Sequence, residues 1–116
     1  MNTNEKIVNQ KIAEWLKVIS HIYGEYEVLY YYKNYHPVTK FDFLHDRNQQ
    51  KWIEDKLKED GWRISYLITV NGNWAIVIFK TWKIREIYKC NESKDLAFIQ
   101  AVEQLIDKEN ESTKKI

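Results

Sequence analysis

The sequence predicts an α+β fold, a mostly antiparallel sheet of about four strands with three helices packed on its faces. Apolar residues recur with helical periodicity in three separate segments, near the beginning, the middle and the end of the chain. A β-hairpin pattern lies between the second and third of these segments. Its second strand is apolar on both faces, so it needs cover on both sides, which three helices can provide.

The first helix is predicted from Asn4 to Ile22. Asn2 and Glu5 have the spacing of a capping box, and Gly24 is typical of a helix C-terminal stop. Between them, apolar residues recur at steps of three and four: Val8, Ile12, Trp15, Leu16, Ile19 and Tyr23.

The stretch "EVLYYYKNYHP" changes the pattern from helix to strand. Its β-branched and aromatic residues predict a strand from Tyr26 to Lys33, ended by Asn34 and by the His36-Pro37 pair. The following "NYHPVTKFDF" is predicted to be a loop.

The second helix is predicted from Arg47 to Glu59. Asp46 and Gln49 form its capping signature, and Gly61 ends it. Its buried face is predicted to contain Gln49, Trp52, Ile53, Lys56 and Leu57.

The hairpin is predicted from the segment "WRISYLITVNGNWAIVIFKTW", with strands at 62–70 and 74–82. Asn71-Gly72 favours a two-residue turn, which places Val77 and Phe79 on the face of Ile64 and Ile68. A three-residue loop, the alternative, places Trp82 opposite Trp62.

The segment "KIREIYKC" predicts one further strand, and Ser93 caps the third helix. Residues 1–108 are expected to form a single α+β domain, and residues 109–116 a frayed polar tail. The stripe predicted to be buried on the third helix consists of Ala97, Ala101, Val102, Leu105 and Ile106.

Composition narrows the function classes. The 116 residues include 18 basic and 17 acidic side chains, for a formal net charge of +1, which disfavours a strongly basic nucleic-acid binder. The single cysteine excludes an internal disulfide and fits a reducing compartment. No secretory signal pattern and no long apolar run occur. We therefore expect a cytoplasmic protein with no membrane partner.

No catalytic constellation emerges from the sequence. Cys90 has no local nucleophile signature, and the three glycines are explained by helix stops and a turn, leaving no phosphate-binding loop. His36, Asp42, His45 and Asp46 offer metal-binding atoms, but their spacing matches no recognised metal motif. We expect no enzyme activity, no metal and no cofactor.

Binding is the favoured class of function. Protein recognition, of another protein or of a second copy, is the leading hypothesis, because tyrosine, tryptophan and arginine dominate interface energetics. Nucleic-acid binding by base stacking on a basic aromatic strip is the alternative. The candidate binding residues are Tyr31, Lys33, Tyr35, His36, Lys80, Trp82, Lys83 and Arg85.

Alternation along the Tyr26–Lys33 strand divides its tyrosines between two faces. Tyr30 and Tyr32 cannot share a surface with Tyr31, because successive side chains point to opposite sides. The face with the lysine is predicted to be outward, exposing Tyr31, Lys33 and Tyr35.

From Phe43 onward, "FLHDRNQQKWIEDKLKEDGWRISYLITVNGNWAIVIFK" and "SKDLAFIQAVEQLI" resemble a phage domain family, the phage ABA sandwich. "NQKIAEWL" is similar to the short helix that often precedes that domain. The resemblance covers about two-thirds of the chain and implies a phage or prophage accessory protein without a known catalytic residue. Such proteins commonly bind and block host factors, including defence systems. The matching positions are Trp52, Ile53, Leu57, Gly61, Trp62, Trp74, Ala97, Ala101 and Val102.

Overall fold

The computed structural model describes residues 3–31, 34–80 and 83–114. Its contacts divide the chain into two compact units, Met1–Lys56 and Leu57–Ile116. The elements in chain order are α1 (Thr3–Leu16), β1 (Ile19–Tyr23), β2 (Tyr26–Tyr31), β3 (Asn34–Val38), α2 (Arg47–Glu59), β4 (Arg63–Ile68), β5 (Trp74–Lys80), β6 (Lys83–Asn91) and α3 (Lys94–Lys114).

The α+β class is confirmed, but the strands form two sheets instead of one sheet of about four strands. Each sheet is antiparallel and three-stranded, ordered β1-β2-β3 in the first unit and β4-β5-β6 in the second. The additional strands are β1 and β3, which lie where the sequence predicted a helix end and a loop.

Helix α1 ends at Leu16, so the prediction that it reaches Ile22 is wrong. Lys17 adopts a left-handed conformation, with φ of 58°. The Lys17 N–H donates to the Glu14 carbonyl at 3.2 Å, and the Val18 N–H donates to the Ala13 carbonyl at 3.2 Å. These two bonds form a Schellman stop with a lysine in the position where glycine is usual.

Residues 19–31 form a β-hairpin of β1 and β2. Tyr23 pairs with Tyr26 across Gly24 and Glu25, and the ladder continues to the pair Ile19–Tyr30. Gly24, with φ of 61°, is therefore the first central residue of a two-residue turn and not a helix stop.

Strand β3 lies where the sequence predicted a loop. Leu29 pairs with Val38 and Tyr31 with Asn34, and the register shifts between these pairs. Pro37 can occupy β3 because this strand is at the edge of its sheet, a position where proline is tolerated.

The core of the first unit is aromatic. The Trp52 ring is 6.5 Å from the Tyr31 ring and 6.3 Å from the Phe43 ring, which it meets edge-on. All three side chains are buried, together with Ile12, Ala13, Leu16 and Ile53. The half-buried ring of Trp15 lies 5.0 Å from the ammonium of Lys56.

Helix α2 has the predicted bounds and the predicted cap. The Asp46 carboxylate accepts from the Asn48 N–H at 2.9 Å and from the Gln49 N–H at 3.4 Å. At the other end, Trp62 N–H donates to the Leu57 carbonyl at 2.8 Å, and Gly61 has φ of 87°. This is a second Schellman stop, here with the expected glycine.

The β4–β5 hairpin is confirmed, but the two-residue turn is wrong. Ile64 pairs with Ile78 and Ser65 with Val77, so Val77 lies on the face opposite Ile64. Gly72 N–H donates to the Thr69 carbonyl at 2.9 Å, and Thr69 N–H donates to the Asn73 carbonyl at 2.8 Å. With Gly72 at φ 84°, this is a type I turn followed by a bulge.

Helix α3 contacts β5 and β6 and ends at Lys114, past the residue 108 at which a frayed tail was expected. Ser93 caps it, its hydroxyl accepting from the Leu96 N–H at 3.2 Å. The Phe98 ring lies 6.3 Å from Tyr66 on β4. All five residues of the predicted stripe are buried, and Phe98 and Ile99 are buried as well.

Candidate protein-binding surface

Tyr31 is a core residue and not part of an outward face. Its side chain is 1% exposed and packs against Trp52 of α2. The outward prediction relied on the lysine two residues later, but α2 covers β2 at Tyr31 regardless of the charge that follows.

The other residues predicted from the sequence do not form a described site. Lys33 and Trp82 lie outside the described residues, and for Tyr35, His36, Lys83 and Arg85 only the backbone is described. The Lys80 ammonium lies 4.6 Å from the centre of the Trp62 ring, which is a cation–π contact with a buried side chain.

A different surface emerges on the β1–β2 hairpin, which we call the aromatic hairpin face. The ladder pairs Ile19 with Tyr30, His21 with Val28 and Tyr23 with Tyr26, so all six side chains project from the same side. The His21 ring is stacked on Tyr30, with centroids 5.6 Å apart and planes 3° apart. It also contacts Tyr23 at 6.0 Å.

This face is open. Tyr23 is 60% exposed and Tyr26 is 71% exposed, while Val28 and Tyr30 are half-buried. Since an aromatic side chain presents about 150–250 Å², these two tyrosines alone present on the order of 200–300 Å². That area approaches the size of the largest apolar patch on a typical monomer, which is often functional.

The hairpin has no cations. Residues 18–32 contain two glutamates and neither lysine nor arginine. One of them, Glu27, accepts a hydrogen bond from the Ser20 hydroxyl at 2.6 Å, on the opposite side from the aromatic face. A phosphate backbone would find no lysine or arginine on the hairpin, whereas an uncharged apolar surface needs no such partner.

The sequence contains signals for both strands of this surface, but they predict only the second as a strand, and the segment of β1 is predicted as the end of the first helix. In "VISHIYGEYEVLY", β-branched and aromatic residues dominate, and Gly24 lies in the middle. The same glycine also fits a helix stop, and Ile19 and Tyr23 also continue the helical spacing of α1. Only the stop at Lys17 separates the two interpretations.

Three of the four groups considered for metal binding, Asp42, His45 and Asp46, make structural contacts, and the side chain of His36 is not described. His45 Nδ1 is 2.9 Å from Asp42 Oδ1, and Asp46 caps α2. Gln49 also joins this loop, accepting from the Asp42 N–H at 2.9 Å and donating to the Lys40 carbonyl at 3.2 Å. Among the described residues, no group of three or more His, Cys, Asp or Glu side chains is placed to hold a metal ion.

A second exposed apolar feature lies at the tip of the β4–β5 hairpin. Leu67, Ile68 and Val70 are exposed there. Strand β4, which leads to this tip, begins with the charged residue Arg63, whereas β1 of the aromatic hairpin face contains no lysine, arginine, aspartate or glutamate.

Comparison with protein-family models, with curated proteins and with solved structures finds no match to this chain. Within the described part of the chain, no helix combines the length and apolar character needed to cross a bilayer.

Proposed function

We propose that this protein is a non-catalytic binding protein that recognises an uncharged, apolar surface of another protein through the aromatic hairpin face. The observation that carries the proposal is the exposure of Tyr23 and Tyr26 on a face ordered by ring stacking. Tyrosine supplies large contact area at low conformational cost, which suits it to an interface anchor.

Contacts between the aromatic rings preorganise the face for binding. His21 lies against both Tyr30 and Tyr23, so this part of the surface is held in one arrangement before a partner arrives. Less side-chain entropy then remains to be lost on association. The role that the phage ABA sandwich resemblance implies, blocking a host or defence factor, requires only such a surface and no reacting group.

The proposal is tested by placing a photo-cross-linking amino acid at position 26 in cells and identifying the adducts by mass spectrometry. We expect a discrete adduct with another protein, because Tyr26 is 71% exposed on the aromatic hairpin face. The matched control places the same amino acid at Lys58, an exposed position on α2.

Equal adducts from positions 26 and 58, or adducts with the chain itself only, would contradict the proposal. Tyr23→Ser should abolish the adduct at position 26 while leaving the circular dichroism spectrum unchanged. Binding of a labelled oligonucleotide that weakens steeply with salt and is lost in Tyr23→Ser would instead assign the face to nucleic acid.

A further inference from the structure

We infer that β1 pairs with β1 of a second copy of this chain, antiparallel and with His21 at the two-fold axis, to form a six-stranded sheet. This inference goes beyond the proposed function, because it concerns the edge of β1 and names a second copy of the chain as its occupant. Three observations carry it: the openness of β1, its composition and its register.

Strand β1 is an open edge. It is the first strand of the order β1-β2-β3, and β2 is its strand partner among the described residues. All five of its residues are exposed, although three of them are Ile19, Ile22 and Tyr23. An exposed edge with apolar side chains is a template for pairing with another strand.

The composition of β1 lacks the devices that prevent pairing. Its sequence, "ISHIY", contains no proline and no lysine, arginine, aspartate or glutamate. The opposite edge of the same sheet has Pro37 and a register shift, and β4 in the other unit has Arg63. Only β1 among these three edges combines exposure with the absence of charge and proline.

The register of a β1 pair follows from the hairpin. Because Tyr23 and Tyr26 flank a two-residue turn, alternate residues Ile19, His21 and Tyr23 direct their N–H and C=O groups toward β2. Ser20 and Ile22 therefore direct theirs to the open edge. Two antiparallel copies related by a two-fold axis pair these groups fully when Ser20 lies opposite Ile22 of the second copy, which places His21 opposite His21.

This register joins the two aromatic hairpin faces. A two-fold axis perpendicular to the sheet keeps both faces on the same side, and Ile19 of one copy then meets Tyr23 of the other. Aromatic and β-branched residues are a favourable cross-strand pair. The two faces then form one continuous surface, and no lysine, arginine, aspartate or glutamate of β1 lies along the seam.

A register-specific disulfide tests the inference. In a Cys90→Ala background, which removes the exposed native thiol, His21→Cys should form a covalent dimer under a mild oxidant. Residues facing each other in a non-hydrogen-bonded pair have Cα atoms about 4.5 Å apart, within disulfide range. Ser20→Cys is the matched control, because its Cα atoms would lie roughly 8 Å apart, too far for a bridge.

A covalent dimer from His21→Cys with none from Ser20→Cys supports the proposed pairing, whereas equal yields or none from either variant would overturn it. Ile22→Lys should raise the dimer dissociation constant, measured by sedimentation equilibrium, by about tenfold or more, because a lysine on an edge strand opposes pairing. Ile68 on β4 is also largely exposed, and Ile68→Lys should leave the dimer unchanged.

The two proposals fail separately. A wild-type mass of 14.1 kDa at every concentration, together with a foreign-protein adduct at position 26, removes the β1 pair and leaves the binding function intact. A dimer that forms while position 26 gives no adduct with a foreign protein removes the proposed binding function and leaves the β1 pair intact.

Discussion

Lys17 sets the point in the first unit at which helix α1 ends and the β1–β2 hairpin begins. It ends α1 in a left-handed conformation, and Val18 onward is then free to extend into β1. A lysine in this conformation is strained relative to glycine, because its Cβ approaches the backbone. The position therefore offers a measurable stability change.

We expect Lys17→Gly to raise the free energy of unfolding by about 0.5–1 kcal/mol, since relief of left-handed strain exceeds the added entropy of the unfolded chain. Gly61→Ala should lower it by about 1–2 kcal/mol. Apart from Gly61 itself and its two chain neighbours, no atom lies within 4 Å of a Cβ placed there, so the loss comes from the local left-handed backbone and not from a clash with packed residues.

Urea denaturation measures both changes. Lys17→Ala is the control for loss of the lysine side chain, because alanine keeps the strain and should show no gain. A gain in Lys17→Ala equal to that in Lys17→Gly would contradict the explanation.

At the scale of elements, the connection between β3 and α2 is held by buried amides. Asn9 on α1 accepts from the Phe43 N–H at 3.2 Å and donates to the Phe41 carbonyl at 3.4 Å. Gln50 donates to the Phe43 carbonyl at 3.0 Å and to the Leu44 carbonyl at 3.2 Å. These bonds set Phe43 against Trp52 in the core.

Asn9→Ala should lower the free energy of unfolding by about 1–3 kcal/mol, because it removes the buried side-chain acceptor of the Phe43 N–H. The neighbouring Gln10 is exposed and bonds only within its own helix, to Glu14 at 3.1 Å. Gln10→Ala should therefore cost less than about 0.5 kcal/mol in the same urea titration. Equal losses for the two variants would show that the Asn9 amide does not hold the connection.

At the scale of the whole molecule, self-pairing links stability to concentration. A species that binds only the folded state stabilises it, so the thermal midpoint of the wild-type chain should rise with protein concentration. Ile22→Lys should remove that dependence, and Ile68→Lys should retain it. A wild-type midpoint that does not change with concentration would contradict the β1 pair.

The sequence by itself determined the elements whose signals are local and consistent. Helix α2 begins after its Asp46 cap and ends before Gly61, and the buried stripe of α3 follows its spacing. Each of these features depends on neighbours a few residues away, so one-dimensional pattern is sufficient. Together with the β4–β5 hairpin pattern, these helices give the α+β class.

Where local signals were ambiguous, tertiary structure decided the conformation and the exposure of a segment. Residues 19–23 continue the spacing of α1 as well as forming a strand, and the stop at Lys17 together with pairing to β2 selected the strand. Tyr31 became a core residue because α2 covers it, whereas Tyr23 and Tyr26 remain exposed on the opposite face of the hairpin. Exposure depends on which elements cover a face, and that is a property of packing between distant segments.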